Sequence, residues 1–284
     1  MELRWVDADG VRAPVLTFGP PAAPPAVLVP GLSDGLAPVT LPATQALMRD
    51  APLPMRHFRC LVVSYADRPT DADAPTTAGL AREVAAVLDA VTDQPAWLFA
   101  HSMGAMVAQH LAATRPDLVA GLVLSATCAR ADARLRRGLQ DWQAAVEARD
   151  WHRFARAAVA TSFTGLERSR RRLLLRLSSP PGHPDDRVAR HVALTAAAVT
   201  HDAREQVLSI RCPTLVLAGE HDPLCPPERG RELAAAIPDA TFEVFDGLAH
   251  GFPEQAPGRF ARRVLAFLDA HGAQPDPTAD PAVS

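Results

Sequence analysis

Ser102, Asp222 and His250 have the residue types and settings for nucleophilic attack on a carbonyl carbon. Ser102 lies in Leu98-Phe99-Ala100-His101-Ser102-Met103-Gly104. The apolar run Ala96 to Ala100 predicts a buried strand, and a helical pattern begins at Met103. A serine on so sharp a strand-to-helix turn is held in a strained backbone conformation with its hydroxyl presented outward. Small residues two positions to either side, Ala100 and Gly104, avoid collision there. The Met103 amide opens the helix, where N–H groups lack intrahelical acceptors and the dipole favours negative charge. The spacing is that of Gly-x-Ser-x-Gly with Ala100 in the first position. An ordinary buried turn serine would fit this stretch alone, so other segments must decide.

Val29-Pro30-Gly31-Leu32-Ser33-Asp34-Gly35 follows an apolar run, and Gly31 is expected to let the backbone turn so that the Leu32 N–H points at a bound oxygen. With Met103 it would form a two-donor oxyanion hole. Ala218-Gly219-Glu220-His221-Asp222-Pro223 follows another apolar run, and groups that act chemically gather beyond such strand ends in parallel sheets. Asp222 is expected to fix the tautomer of a histidine, with Glu220 and Asp34 as competitors. Phe245-Asp246-Gly247-Leu248-Ala249-His250-Gly251 places His250 on a glycine-flanked loop, as the base that takes the Ser102 proton. His57, His152, His191 and His201 read as surface or insertion residues, and His101 as a structural support of the serine turn.

These residues need a framework. Leu3 to Val6 and Val11 to Phe18 read as a hairpin about Asp9-Gly10. Short apolar runs at Ala26 to Val29, Arg59 to Val63, Gly121 to Ser125, Thr214 to Ala218 and Thr241 to Phe245 read as further strands. Helical periodicity falls between them at Thr77 to Ala90, Met103 to Ala113 and Arg229 to Ala236, and after the last strand at Pro257 to Ala270. Alternation of this kind predicts an α/β fold with a parallel sheet covered on both faces by helices. From about 130 to 206 no strand pattern occurs, and four amphipathic helices fit instead. The expected division is a core of residues 1–129 and 207–271, a helical cap insertion at 130–206 and a disordered tail at 272–284.

The chain has 284 residues, 48% of them hydrophobic, and a net charge of −3. That balance argues against a general nucleic-acid or membrane-surface binder. No apolar run approaches a membrane span, and Met1 to Trp5 shows no secretory signal. Cys60, Cys128, Cys212 and Cys225 lack metal-ligand spacing and suit reduced thiols in a cytoplasmic protein. All basic side-chain charge is arginine; lysine is absent. The chemistry expected of the three residues needs no cofactor and no metal. The expected partner is a small-molecule acyl substrate; oligomeric state is not readable.

In order and setting, Ala100-His101-Ser102-Met103-Gly104, Gly219-Glu220-His221-Asp222 and Gly247-Leu248-Ala249-His250 resemble the α/β-hydrolase fold family. The cap-bearing serine esterase and lactonase-like branch is the nearest in character. The resemblance runs from about Leu3 to Ala270. It implies a mostly parallel eight-stranded sheet flanked by helices, a helical lid over the serine and an acyl-enzyme route to hydrolysis of an ester, thioester or lactone. Acyl transfer, cyclisation, carbon–carbon cleavage or non-catalytic binding on the same frame remain the alternatives. Pro30-Gly31 departs from the family's frequent His-Gly, and Tyr65-Ala66-Asp67-Arg68-Pro69 from its Asp-x-Arg-Gly-x-Gly run. Arg168, Arg170, Arg171, Arg172 and Arg176 surround leucines 173 to 175 on one insertion helix. A solvated helix with its leucine face packed inward is the expectation, against a helix that meets an anionic substrate or carrier protein. Trp142, Trp151, Phe154 and Phe163 fit either the pocket roof or the insertion's own core.

Overall fold

The structure, a computed structural model, describes residues 1–42, 44, 45, 58–67 and 74–272. His57, the Arg68-Pro69 end of the Tyr65 segment and the tail beyond Gly272 lie outside the described residues.

Eight strands form one sheet: β1 (Glu2–Ala8), β2 (Val11–Phe18), β3 (Pro25–Val29), β4 (Arg59–Val63), β5 (Ala96–His101), β6 (Val119–Ser125), β7 (Thr214–Gly219) and β8 (Ala240–Phe245). Their order is β1-β2-β4-β3-β5-β6-β7-β8. The β1–β2 and β2–β4 pairs are antiparallel, and all later pairs are parallel. The β1–β2 hairpin turns through Asp9 and Gly10, both at positive φ, as a two-residue turn between right-twisted strands requires. The mostly parallel eight-stranded α/β sheet is therefore as expected.

The central strands are apolar on both faces because both faces are covered. On one side, α1 (Thr77–Val91) and α2 (Met103–Thr114) pack on each other and bury Leu80, Val84, Leu88, Met106 and Leu111, α1 over β1 and β2 and α2 over β3, β5 and β6. On the other, the last long helix (Pro257–Ala270) sets Phe260, Val264 and Phe267 against Trp97, Phe99 and Leu215.

Between β6 and β7 the chain forms four helices: α3 (Ala133–Glu147), α4 (Trp151–Ser162), α5 (Gly165–Leu177) and α6 (Asp185–Val199). Asp132 and Asp150 cap α3 and α4 by accepting backbone N–H groups of their first turns, which satisfies donors the helix cannot. The excursion is laced at its base. The Ala131 N–H donates to the His201 carbonyl at 2.9 Å and the Ala203 N–H to the Ala129 carbonyl at 2.8 Å.

One expectation needs correction. Leu173, Leu174 and Leu177 are exposed, as is Leu166, and α5 buries no residue fully. Its half-buried stripe is Glu167, Arg168, Arg171 and Leu175, and it is mostly polar because Arg171 pairs with both Glu167 and Glu254 and covers the Phe163 ring. The spacing of leucines defined an apolar face but not what that face meets. His191 and His201, read as surface or insertion residues, lie within the inserted stretch and are buried there, each 1% exposed. His201 packs under α1 with its Nδ1 2.9 Å from Thr77 Oγ1. His152 is exposed, as expected.

Candidate active site

Ser102 stands between β5 and α2 with φ 56° and ψ −124°. That region is sparsely populated by residues with a Cβ and costs about 1–3 kcal/mol. The surroundings hold it there: the Ser102 N–H donates to the Ser125 carbonyl at 2.9 Å, and its own carbonyl accepts from Ala105 N at 3.0 Å.

Smallness at position 104 has a direct cause. A Cβ on Gly104 would lie 2.2 Å from the Val29 carbonyl oxygen and 2.6 Å from that of Pro30. Gly104→Val is expected to lower stability by about 1–3 kcal/mol or more, the range of overpacking, read as a reduced urea midpoint. An unchanged midpoint would refute the tight-turn account. Gly31 requires a smaller revision. Its backbone is extended, at φ −79° and ψ −162°, so conformational freedom is not what selects glycine. A Cβ there would approach the His101 carbonyl oxygen to 3.1 Å, and space is the cause.

The three residues singled out by type come together although 148 positions separate the outer two. His250 Nε2 lies 3.0 Å from Ser102 Oγ, and His250 Nδ1 lies 2.7 Å from Asp222 Oδ2. Asp222 is 3% and His250 5% exposed. The second Asp222 oxygen, Oδ1, accepts from Leu224 N at 2.8 Å and Cys225 N at 3.0 Å. The carboxylate is thereby fixed in orientation before it meets the imidazole. The competitors are occupied elsewhere. Glu220 accepts from Gly247 N at 2.6 Å, and Asp34 pairs with Arg190.

Leu32 opens a single 3-10 turn, Leu32–Gly35, and Met103 opens α2. First-turn amides have no intrahelical acceptor, and both residues sit beside the serine turn. His101 braces that turn. Its Nδ1 lies 3.2 Å from Ser125 Oγ, which also donates to the Ala100 carbonyl at 3.1 Å. Burial, and then the neighbouring His250, push the His101 imidazole down to about 3, so it stays neutral.

Ser102 and His250 open onto a cavity of about 560 Å³. Its floor comes from the sheet, including Val29, Phe99 and Val123, and Trp142, Phe154, Ala158 and His191 of the inserted helices also line it. Trp142 and Phe154 make an edge-to-face pair with ring centres 5.9 Å apart. Trp151 packs near Val146 and Val188 without lining the cavity, whereas Phe154 does both. Among the described residues no group of three His, Cys, Asp or Glu is placed to hold a metal ion, and no helix is long and apolar enough to cross a membrane.

Residue-type reasoning missed a second polar cluster on the same cavity wall. Asp34 and Ser64 both follow strands of the sheet, and the Ser64 hydroxyl donates to Asp34 Oδ1 at 2.5 Å. Arg190 of α6 donates to Asp34 Oδ2, to the Tyr65 carbonyl at 2.6 Å and to Asp67 at 3.0 Å. The only sequence signal for it is the position of Asp34 and Ser64 just past strand ends; Arg190 is one of 29 arginines.

A family model described as serine aminopeptidase, S33, matches residues 68–254. A carbamate hydrolase RutD of Azorhizobium caulinodans, itself a provisional assignment, is 29% identical over 199 residues, 66% of this chain and 71% of that protein. A pimeloyl-[acyl-carrier protein] methyl ester esterase of Chromobacterium violaceum is 32% identical over 185 residues, 59% of this chain and 67% of that protein. The crystal structure of the enol-lactonase from Burkholderia xenovorans superposes with a TM-score of 0.71 at 24% identity, covering 94% of this chain and 100% of that one. With the eight-stranded sheet and its flanking helices, these matches make the chain a hydrolase of the α/β-hydrolase fold that belongs to the serine aminopeptidase S33 family.

Proposed function

We propose that the protein cleaves a small ester, thioester or lactone through an acyl-enzyme intermediate, with Ser102, His250 and Asp222 as the catalytic triad. The observation that carries this reading is the continuous hydrogen-bonded line from Ser102 Oγ through His250 to Asp222 at 3.0 and 2.7 Å. Ser102 Oγ attacks the carbonyl carbon as its proton passes to His250 Nε2. The oxyanion that forms is held by the N–H groups of Leu32 and Met103, and removing one such donor typically costs about 10²–10³ in rate. Collapse expels the alcohol, thiol or ring oxygen, which takes the proton from His250. Water, deprotonated by the same imidazole, then attacks the acyl-serine, and its collapse returns the proton to Ser102. Asp222 stays ionised and stabilises the imidazolium formed in both halves.

Residues 130–206 act as a cap whose Trp142, Phe154 and His191 shape the cavity that receives the acyl or alcohol group. The bonds named for the relatives, a carbamate, a methyl ester and an enol-lactone, share a carbonyl with an adjacent heteroatom leaving group. This supports the same class here.

A fluorophosphonate probe tests the reading. Native protein is expected to label stoichiometrically and Ser102→Ala not at all, with free acid as the product from a p-nitrophenyl ester. Equal labelling of both proteins would defeat the assignment. Acyl transfer to an added alcohol in preference to water would replace hydrolase with transferase.

A further inference from the structure

Basic charge is gathered on two of the inserted helices. Residues 151–177 hold seven arginines against one glutamate, in a chain whose net charge is −3. On α5, Arg170 and Arg171 pair with Glu167, and Arg171 also with Glu254. Arg172 and Arg176 are exposed, and no carboxylate of the described residues lies within ion-pair distance of either. The same helix carries four exposed leucines, Leu166, Leu173, Leu174 and Leu177, between 49% and 89% exposed. At i, i+7, i+8 and i+11 they share one face, and Arg172 and Arg176, one turn apart, run along its border. α5 meets the rest of the molecule through its other side, with Arg171 and Leu175, and lies chiefly on α4. Its leucines therefore form a convex ridge in water, and a contiguous apolar patch rimmed by polar groups marks an interaction surface.

We propose that α5 docks the protein on an anionic lipid surface, with its leucines in the acyl boundary and Arg172 and Arg176 at the phosphate headgroups. Shape and charge together select this occupant. A protein partner would need a groove cut to the ridge, whereas the headgroup boundary of a bilayer accepts an apolar helix face of any profile. The arginines lay their stems along the leucines and reach the phosphates with their charged ends. A net charge of −3 spread evenly would oppose such docking. Gathered as it is, the basic pair of helices is drawn to the surface and the acidic remainder is turned away from it. Glu254, the partner of Arg171, also lines the cavity, so α5 stands at the cavity's rim and docking holds that rim near the lipid. The inference does not depend on the acyl-enzyme reading, and its test reads binding alone.

The full chain is sedimented with vesicles of phosphatidylcholine alone and of phosphatidylcholine mixed equally with phosphatidylglycerol, at about 0.1 M salt. Native protein is expected to bind the mixed vesicles at least about tenfold more tightly than the neutral ones. Arg172→Gln/Arg176→Gln and Leu173→Ser/Leu177→Ser are each expected to weaken that binding about tenfold or more, with the thermal midpoint unmoved. If Leu173→Ser/Leu177→Ser lowers the midpoint, Leu166→Gln, at the most exposed of the four, carries the comparison. Binding that is absent, indifferent to lipid charge, or equal in native protein and both double variants overturns the proposal. Polyglutamate bound as tightly as the mixed vesicles, and still bound by Leu173→Ser/Leu177→Ser, would overturn it in favour of an acidic protein partner. A native dimer in sedimentation velocity that Leu173→Ser/Leu177→Ser dissolves, without vesicle binding, would overturn it in favour of a second copy of this chain.

Discussion

Alanine at Ser102, at His250 or at both is expected to lower turnover of an activated ester by nearly the same factor, on the order of 10⁴ to 10⁶. The near-equality follows from geometry. Among the described residues the only proton acceptor placed at Ser102 Oγ is His250 Nε2 at 3.0 Å, so a serine without it is a neutral alcohol and the imidazole without the serine has nothing to activate. Asp222→Asn is expected to cost about 10⁴ with the fold intact. Asp222 Oδ1 is committed to the Leu224 and Cys225 amides. An asparagine would keep its carbonyl oxygen there and turn its NH₂ toward His250 Nδ1. That forces the proton onto Nε2, where it faces Ser102 and cannot accept. Losses that multiply in the Ser102→Ala/His250→Ala protein, or an Asp222→Asn protein within tenfold of native, would show that the three do not act as one unit.

How much of this was legible in the sequence follows from which signals are local. Ser102, Asp222 and His250 could be singled out because each lies at or just past the end of an apolar strand. Strand ends are set by short runs of residue types, and a parallel sheet brings its carboxyl ends to one edge whatever covers them. The choice of Asp222 over Glu220 and Asp34 was not local, and only the sheet's register and the Arg190 pairing separate them. The inserted helices show the limit more sharply. Their lengths follow from caps and periodicity, as where Asp150 caps Trp151–Ser162. Which stripe of each faces inward depends on the surface it meets. For Gly165–Leu177 that surface offers Glu254 and Phe163, so arginine rather than leucine is turned toward it. For Asp185–Val199 it offers the cavity and Asp34, so His191 and Arg190 are buried despite lying in a polar run.

Arg190→Ala is expected to destabilise the protein by about 3–5 kcal/mol, the cost of leaving a buried ion pair half-made. Arg190 ties α6 to the turn that begins at Leu32, and its side chain is 8% exposed against 3% for Asp34. Helix and turn are in direct contact: a methyl on Gly35 would come 2.7 Å from the His191 Cα. Burial pushes the Asp34 carboxyl above the usual carboxylate range, while Arg190, then the Ser64 hydroxyl and the Tyr65 N–H, draw it back. Removing Arg190 takes away the largest opposing influence, so the folded-state pKa rises further above the unfolded value. A group raised in this way contributes its full stability below the unfolded pKa and loses it as pH climbs through the folded one. The deficit of Arg190→Ala relative to native is therefore expected to be smaller at pH 5 than at pH 8, by urea unfolding. The double variant Arg190→Ala/Asp34→Asn, which buries no unpaired charge, is expected to recover part of the loss and to flatten that pH dependence. Arg190→Lys is expected to fall between, since one ammonium cannot reproduce the fork that reaches Asp34, the Tyr65 carbonyl and Asp67 together. A deficit that is constant with pH and untouched by Asp34→Asn would mean that Arg190 contributes through packing of its stem, and that the inserted helices rest on the Leu32 turn without a charged strut.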